Sequence, residues 1–318
     1  LLNSELLYSC VPVIYGPITN LNYTANHFGY EASFNKISFA EESLEGKINV
    51  IDNFKNPPKI SYGALNKEMG FAAYESLKNS VKDLRAGKID VLVTPPINKE
   101  AIHSDEFQFM GHTDYIDGKI DGVSTMMMVS NNLRVALLTE HMPISRVTDS
   151  ISSELVEQKI NTLNDTLIRD FEKEQPKIAI LSIDPHAGDG GVISENDSKL
   201  IVPAVKKSKD IGILIDGPFP ADSFFGSMEY KKYDLIIAAY HDQGLIPFKT
   251  LSFGMGVNYT SGLERIRTSP DHGTAYSIAG KGVASKDSFL SSIYLAIDLF
   301  KRRKIYDELR KNKLQTSQ

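Results

Sequence analysis

Three histidines directly follow apolar runs that read as buried strands: His141 after RVALLTE, His186 after KIAILSIDP and His241 after DLIIAAY. In open α/β sheets, ligands collect outside the carboxyl ends of the strands, so side chains placed there project toward a common crevice. Neutral imidazole is a common ligand for first-row divalent ions, and three such ligands leave coordination positions open for a substrate. The spacing is not a compact HxxxH pattern, so a metal reading requires the fold to bring these rings together. In the bland alternative each histidine ends its strand with a local hydrogen bond. His27 and His103 lack this placement and read as ordinary surface or helix-end residues.

Two of the three histidines stand in unusual loops. Asp184-Pro185-His186-Ala187-Gly188-Asp189-Gly190-Gly191 is rich in small, turn-forming residues that allow close backbone approach to a ligand. Tyr240-His241-Asp242-Gln243-Gly244 places a carboxylate beside an imidazole. Asp242 could there orient the ring, join a metal shell or act as a base. Further on, Lys249, Asn258 and Arg267 lie in FKTLSFGMGVNYTSGLERIRTS, whose glycines predict loops rather than a long helix. A lysine, an amide and an arginine suit a phosphate or carboxylate, because they combine charge with directed donors. His112 and Thr113 in the polar GHTD loop add donors for the same kind of group, although four residues fit a plain turn as well.

No GxGxxG follows a strand, so a Rossmann dinucleotide site is not supported. The stretch Asp271-His272-Gly273-Thr274-Ala275, followed by Ile278-Ala279-Gly280-Lys281-Gly282, instead resembles the adenine-binding loop of decarboxylating dehydrogenases such as isopropylmalate dehydrogenase. That family carries an Asp and an Asn where Ser277 and Ser285 stand here, so the choice between NAD and NADP stays open.

Positioning these groups takes a framework that the rest of the chain spells out. Apolar runs at Leu7–Ile14, Lys47–Ile51, Asp90–Thr94, Arg134–Thr139, Lys177–Ile183, Ile211–Asp216 and Asp234–Tyr240 alternate with helical spacing at Ala64–Leu84, Ser152–Phe171, Asn196–Ser208 and Ser285–Leu309. Buried parallel strands covered by helices show this pattern. Phe289, Ile293, Ile297 and Phe300 form a core stripe on the last helix, and Lys301–Lys313 reads as its solvated basic end. At 318 residues and 42% hydrophobic content, the chain calls for two domains rather than one compact layer. Domain changes are expected near Pro96–Phe107 and Gly244–Ser252. The first domain, 1–100 plus 250–318, would be discontinuous and lie on the cofactor side; the second, 101–249, would carry the metal and the dimer contact. A formal charge of -5 argues against a nucleic-acid partner. No apolar run approaches the roughly 20 residues of a membrane span. One cysteine and no leader pattern predict a cytoplasmic protein without membrane contact.

TPPINKEAI, GHTDY, TEHMP, DPHAGDGG, GPFPADSFF, AAYHDQGLIPFK, GVNYTSGLERIRTSPDHGTA and IAGKG occur in one order over roughly residues 90 to 285. In that order they resemble the PdxA family, the 4-hydroxythreonine-4-phosphate dehydrogenases. The resemblance implies a two-domain α/β architecture like that of isocitrate and isopropylmalate dehydrogenases, with mostly parallel sheets and a cleft between domains. It implies that His141, His186 and His241 bind a divalent metal, that His112, Thr113, Lys249, Asn258 and Arg267 bind substrate, and that His272, Gly273, Thr274 and Ala275 meet the cofactor. The implied cofactors are NAD, with NADP as the alternative, and zinc, cobalt, magnesium or manganese. It further implies a homodimer whose metal site draws ligands from both subunits, with His241 crossing the interface. Asp242 and Lys249 are the candidates for proton transfer. Family members open on a strand and a turn like GEPAGIG, whereas this chain opens on LLNSELL, so a trimmed start is expected.

The function expected is oxidative decarboxylation of 4-phosphohydroxy-L-threonine to 3-amino-2-oxopropyl phosphate in vitamin B6 synthesis. Competing readings are a dehydrogenase of threonate 4-phosphate, a metal-dependent phosphohydrolase using the same histidines and anion-binding residues, and a non-catalytic small-molecule-binding protein.

Overall fold

The computed structural model describes residues 4–252 and 254–311. The LLN opening of the chain and the last two residues of the expected basic face, 312 and 313, lie outside the described residues. The chain folds as two compact units, residues 1–120 with 272–286 and residues 121–271 with 287–318.

The smaller unit holds strands β1 (Val13–Tyr15), β2 (Phe34–Ile37) and β3 (Ile48–Ile51) in a parallel sheet of order β1-β3-β2. A further strand, β4 (Val91–Val93), also falls in this unit. The run Leu7–Ile14 is not one strand: Ser4–Ser9 forms a helix, and extended structure starts only after Pro12, which cannot continue a helix. Asn49 is fully buried in β3, where its amide bonds Asn35, Leu44, Pro12 and Lys47 and ties the surrounding loops to the sheet. The helix Lys67–Arg85 starts at Asn66, whose side chain accepts from the backbone of Glu68 and Met69 and so satisfies two otherwise unpaired N–H groups.

The larger unit carries β5 (Gly122–Val129), β6 (Arg134–Leu137), β7 (Lys177–Leu181), β8 (Leu214–Phe219), β9 (Leu235–Ala238), β10 (Val257–Leu263) and β11 (Ile266–Pro270). Their order is β11-β10-β5-β6-β9-β7-β8. From β6 to β8 neighbours run parallel, whereas β11, β10, β5 and β6 pair antiparallel. The parallel strands are buried on both faces, with Leu137, Ile180 and Ala238 fully buried, which accounts for their unbroken aliphatic sequence.

Three expectations shift. The segment predicted as loops from its glycines is the β10–β11 hairpin, and Gly262 (φ +80) sits where the β5–β10 register slips. A Cβ there would come within 2.1 Å of the Val123 carbonyl, so this glycine permits strand contact rather than a loop. The run Ile211–Asp216 starts as strand only at Leu214, because Gly212 and Ile213 close the preceding helix Val202–Asp210. The domain boundaries differ from 1–100 plus 250–318: β10 pairs with β5, and the helix Asp287–Arg310 bonds to β11 through Thr268 and Ser292. In the larger unit Ile293 and Ile297 are buried, while Phe289 and Phe300 are only half-buried. Within the described residues no helix is long and apolar enough to cross a membrane.

Candidate active site

Strand register decides where two of the three histidines emerge. β6 and β9 lie side by side, Leu137 opposite Ala238. Their pairing runs on past the strand ends, with Leu138 N donating to Ala238 O (2.8 Å) and the Thr139 hydroxyl donating to Ala239 O (2.7 Å). Two residues later each chain reaches its histidine, and the rings of His141 and His241 stand 5.8 Å apart between centroids. Both line a cavity of about 400 Å³ together with Glu140, Met142, Tyr240 and Asp242.

The YHDQG segment opens the helix His241–Ser252, an element its glycine and internal Pro247 hide from propensity. Each residue of HDQG has a distinct task. His241 Nδ1 pairs with Asp242 Oδ1 at 2.7 Å. With Nδ1 protonated in the neutral ring, Nε2 keeps its lone pair, as a metal ligand requires. Gln243 accepts from Ala239 N and donates to Ser182 O, both at 2.7 Å, stapling the helix start to the ends of β9 and β7. Gly244 lets the helix lie on the sheet, since a Cβ would stand 2.9 Å from Val135, Leu137 and Ala238 side chains. Sequence reasoning missed Gln243, whose only signal was its place in the motif.

His186 does not join the pair in this way. After β7 the chain enters the turn Pro185–Gly191, where His186 is exposed, and among the described residues no group of three His, Cys, Asp or Glu side chains could hold a metal ion. His241 is the neighbour of His141, because adjacent parallel strands deliver both.

Lys249 projects from the same helix as His241 and pairs with Asp271 at 3.1 Å. Asn258 lies on β10, and its Oδ1 is buried with no hydrogen-bond partner, an acceptor open to a ligand's donor. Arg267 on β11 is buried, with Nη1 donating to Thr260 Oγ1 at 3.2 Å. Burial pushes its guanidinium down to about 10, and the charge of Glu140 in the cavity wall opposes that shift. It therefore stays charged at neutral pH. Glu140 is itself held by Met126 N at 3.0 Å.

The remaining candidates belong to the smaller unit. His112 and Thr113 open the helix His112–Ile116, half-buried above the anchors Tyr115 and Ile116. Tyr115 packs against Tyr74, Phe107 and Phe109. His272, Gly273 and Ala275 are exposed and Thr274 half-buried, with His272 Nδ1 at 2.9 Å from Gly273 O and Ala275 at φ +50. The IAGKG segment that follows rests on a ring cluster: Gly280 leaves no room for a Cβ over Tyr62, and His27 Nε2 lies 3.1 Å from Gly280 O. His27 ends the helix Ile18–His27 and His103 caps Lys99–Ile102, as helix-end residues do. The contact of His27 with Gly280 was not legible in the sequence.

Residues 8–296 match the family described as pyridoxal phosphate biosynthetic protein PdxA. A 4-hydroxythreonine-4-phosphate dehydrogenase from Bacteroides thetaiotaomicron is 42% identical, covering 98% of this chain and 86% of the relative. A D-threonate 4-phosphate dehydrogenase from Cupriavidus necator is 36% identical over 92% of this chain and 89% of its own length. The solved structure of a 4-hydroxythreonine-4-phosphate dehydrogenase from Burkholderia phymatum is 36% identical, covers 93% of this chain and 91% of that chain, and superposes with a TM-score of 0.76. The chain is an oxidoreductase that belongs to the PdxA family.

Proposed function

We propose that this chain oxidises and decarboxylates 4-phosphohydroxy-L-threonine with NAD, or NADP in its place, as a cytoplasmic homodimer serving pyridoxal 5'-phosphate synthesis. The observation that carries the reading is the meeting of His141 and His241 at one cavity, with Asp242 holding the second ring. A dehydrogenase family implies a nicotinamide cofactor. The exposed loop from His272 to Ala275 offers backbone groups to an adenine edge, and the buried Tyr62 hydroxyl beneath Gly280 has no internal partner, so the segment fits a dinucleotide.

Two imidazoles with one tautomer set by a carboxylate fit a divalent ion such as zinc, cobalt, manganese or magnesium. His141 and His241 would hold it from one subunit, and His186 of the other subunit would complete the set. A bound ion would act as a Lewis acid toward the substrate alcohol and its neighbouring amine. In this substrate the alcohol lies beta to the carboxylate. A bound nicotinamide would supply the hydride acceptor; oxidation of the alcohol would then leave a beta-keto acid, whose loss of carbon dioxide would give 3-amino-2-oxopropyl phosphate.

This chain's side chains orient the molecule. Lys249 takes the phosphate, Arg267 supplies buried positive charge behind Glu140, and Asn258 Oδ1 accepts from a substrate donor; His112 and Thr113, at a helix start of the smaller unit, offer donors of the kind an anion accepts. Such remote contacts lower the entropic barrier at the reacting carbon. Asp242 shares Oδ1 with His241, which supports an orienting role.

The test follows nicotinamide reduction with 4-phosphohydroxythreonine and with D-threonate 4-phosphate, each with and without a chelator. Chelator-sensitive reduction with the first substrate at the higher kcat/KM supports the reading. Preference for the second moves the chain to the threonate branch, and phosphate release without reduction would favour the phosphohydrolase.

A further inference from the structure

Five successive residues, His186, Ala187, Gly188, Asp189 and Gly190, adopt left-handed backbone angles, with φ between 47° and 77°. Three of them are not glycine, and each non-glycine residue in this region carries a steric cost that the surroundings must over-determine. The surroundings do so through two carboxylates. Asp184 Oδ2 accepts from the Ser194 hydroxyl and from Asn196 Nδ2, the latter at 2.7 Å, and so clamps the start of the turn to the segment beyond its end. Asp197, itself buried, accepts from the backbone N–H of Ile183 and Asp184 at 2.8 and 3.1 Å. Ser182 Oγ donates to Asp184 O, and Ser182 O in turn receives Gln243 from the helix that begins with His241. Gly188 is wedged inside this clamp, where a Cβ would lie 2.4 Å from the Ser194 carbonyl.

We infer that Asp184, Ser194 and Asn196 are positioning residues for the metal centre: they hold a left-handed turn that fixes the direction in which exposed His186 leaves its own subunit. The inference rests on the proposed metal-dependent reading and adds to it the groups that determine where the third imidazole stands. A ligand on a relaxed loop would lose conformational freedom on binding the ion. A clamped turn has already lost it, so the affinity of the site depends on residues that touch neither ion nor substrate.

The experiment measures zinc affinity of the full-length protein by competition with a chromophoric chelator, beside kcat and KM. The Ser194→Ala, Asn196→Ala double variant is expected to bind zinc roughly 10–100-fold more weakly, the range found when groups that support a metal ligand are removed. Ser194→Thr, which keeps the hydroxyl, should retain the unaltered protein's affinity. Gly190→Ala, at a left-handed position with open space around it, should change zinc affinity far less than the double variant. Should the double variant fail to fold, Asp184→Asn tests the same clamp at constant volume. An unaltered zinc affinity in the clamp variants, with affinity lost in His186→Ala, overturns the inference and leaves the metal reading standing. Unaltered affinity in His186→Ala overturns both.

Discussion

Two clusters of charge in the larger unit differ in where their bonds end. Around Asp170 everything closes inside the chain. The carboxylate is fully buried, takes Arg303 Nε at 2.6 Å and Nη2 at 3.0 Å, receives the Tyr259 hydroxyl, and has Arg169 beside it. Arg303 also donates to Glu264 O, fastening the last helix to the β10–β11 hairpin. The cluster around His241 points the other way: Asp242 holds one ring nitrogen, and both side chains remain in contact with solvent. A network satisfied within one chain fixes a fold, whereas one that ends at the surface leaves polar atoms accessible to other molecules.

The contrast can be broken from either side. The largest effect belongs to the closed cluster. Arg303→Met strands a buried carboxylate and should lower unfolding stability by about 3–5 kcal/mol in urea titration, while zinc affinity of the native fraction holds. Burial works to raise the Asp170 carboxyl, but the Arg303 bond and charge, with Arg169 and Tyr259, bring it below the ordinary range. A carboxyl depressed in the folded state stabilises above its unfolded pKa, and that contribution fades as pH falls below about 4. The thermal midpoint should therefore drop on the acid side, and Arg303→Met should flatten that limb.

At the open cluster, His141→Ala should lower zinc affinity more than about 100-fold, beyond the loss typical of a group that only supports a ligand. Stability of the metal-free protein should move by no more than about 0.5 kcal/mol, as for an exposed side chain. Equal stability losses at His141 and Arg303 would erase the distinction between the clusters. Asp242→Ala leaves both imidazoles present and should weaken zinc about 10–100-fold by freeing the His241 tautomer. Smallest is Lys249→Met, which breaks a partly exposed pair with Asp271: KM for the phosphorylated substrate should rise, and stability should change by less than about 1 kcal/mol.

The parallel strands were legible because burial on both faces demands continuous aliphatic sequence, which Lys177–Leu181 and Leu235–Ala238 display. β5 was not, since its buried positions include Met126, Met127 and Met128, residues without the β-branched signature. The helix from His241 was hidden by Pro247 and by Gly244, whose value lies in packing against the sheet rather than in propensity. Among the candidate residues, the histidines were singled out by following strands, and Lys249, Asn258 and Arg267 by their chemistry. Gln243, Ser194 and Asn196 did not, because a side chain that bonds a distant backbone carries no local signal.

By itself the sequence determined the α/β class, the strand ends that bear imidazoles, and membership of a family whose motifs span most of the chain. These follow from local composition, order and periodicity. Only the tertiary structure decided that β6 neighbours β9, so that His141 meets His241 and His186 stands apart on a clamped left-handed turn. Strand order and turn handedness arise from pairings between residues far apart along the chain, which no local pattern records.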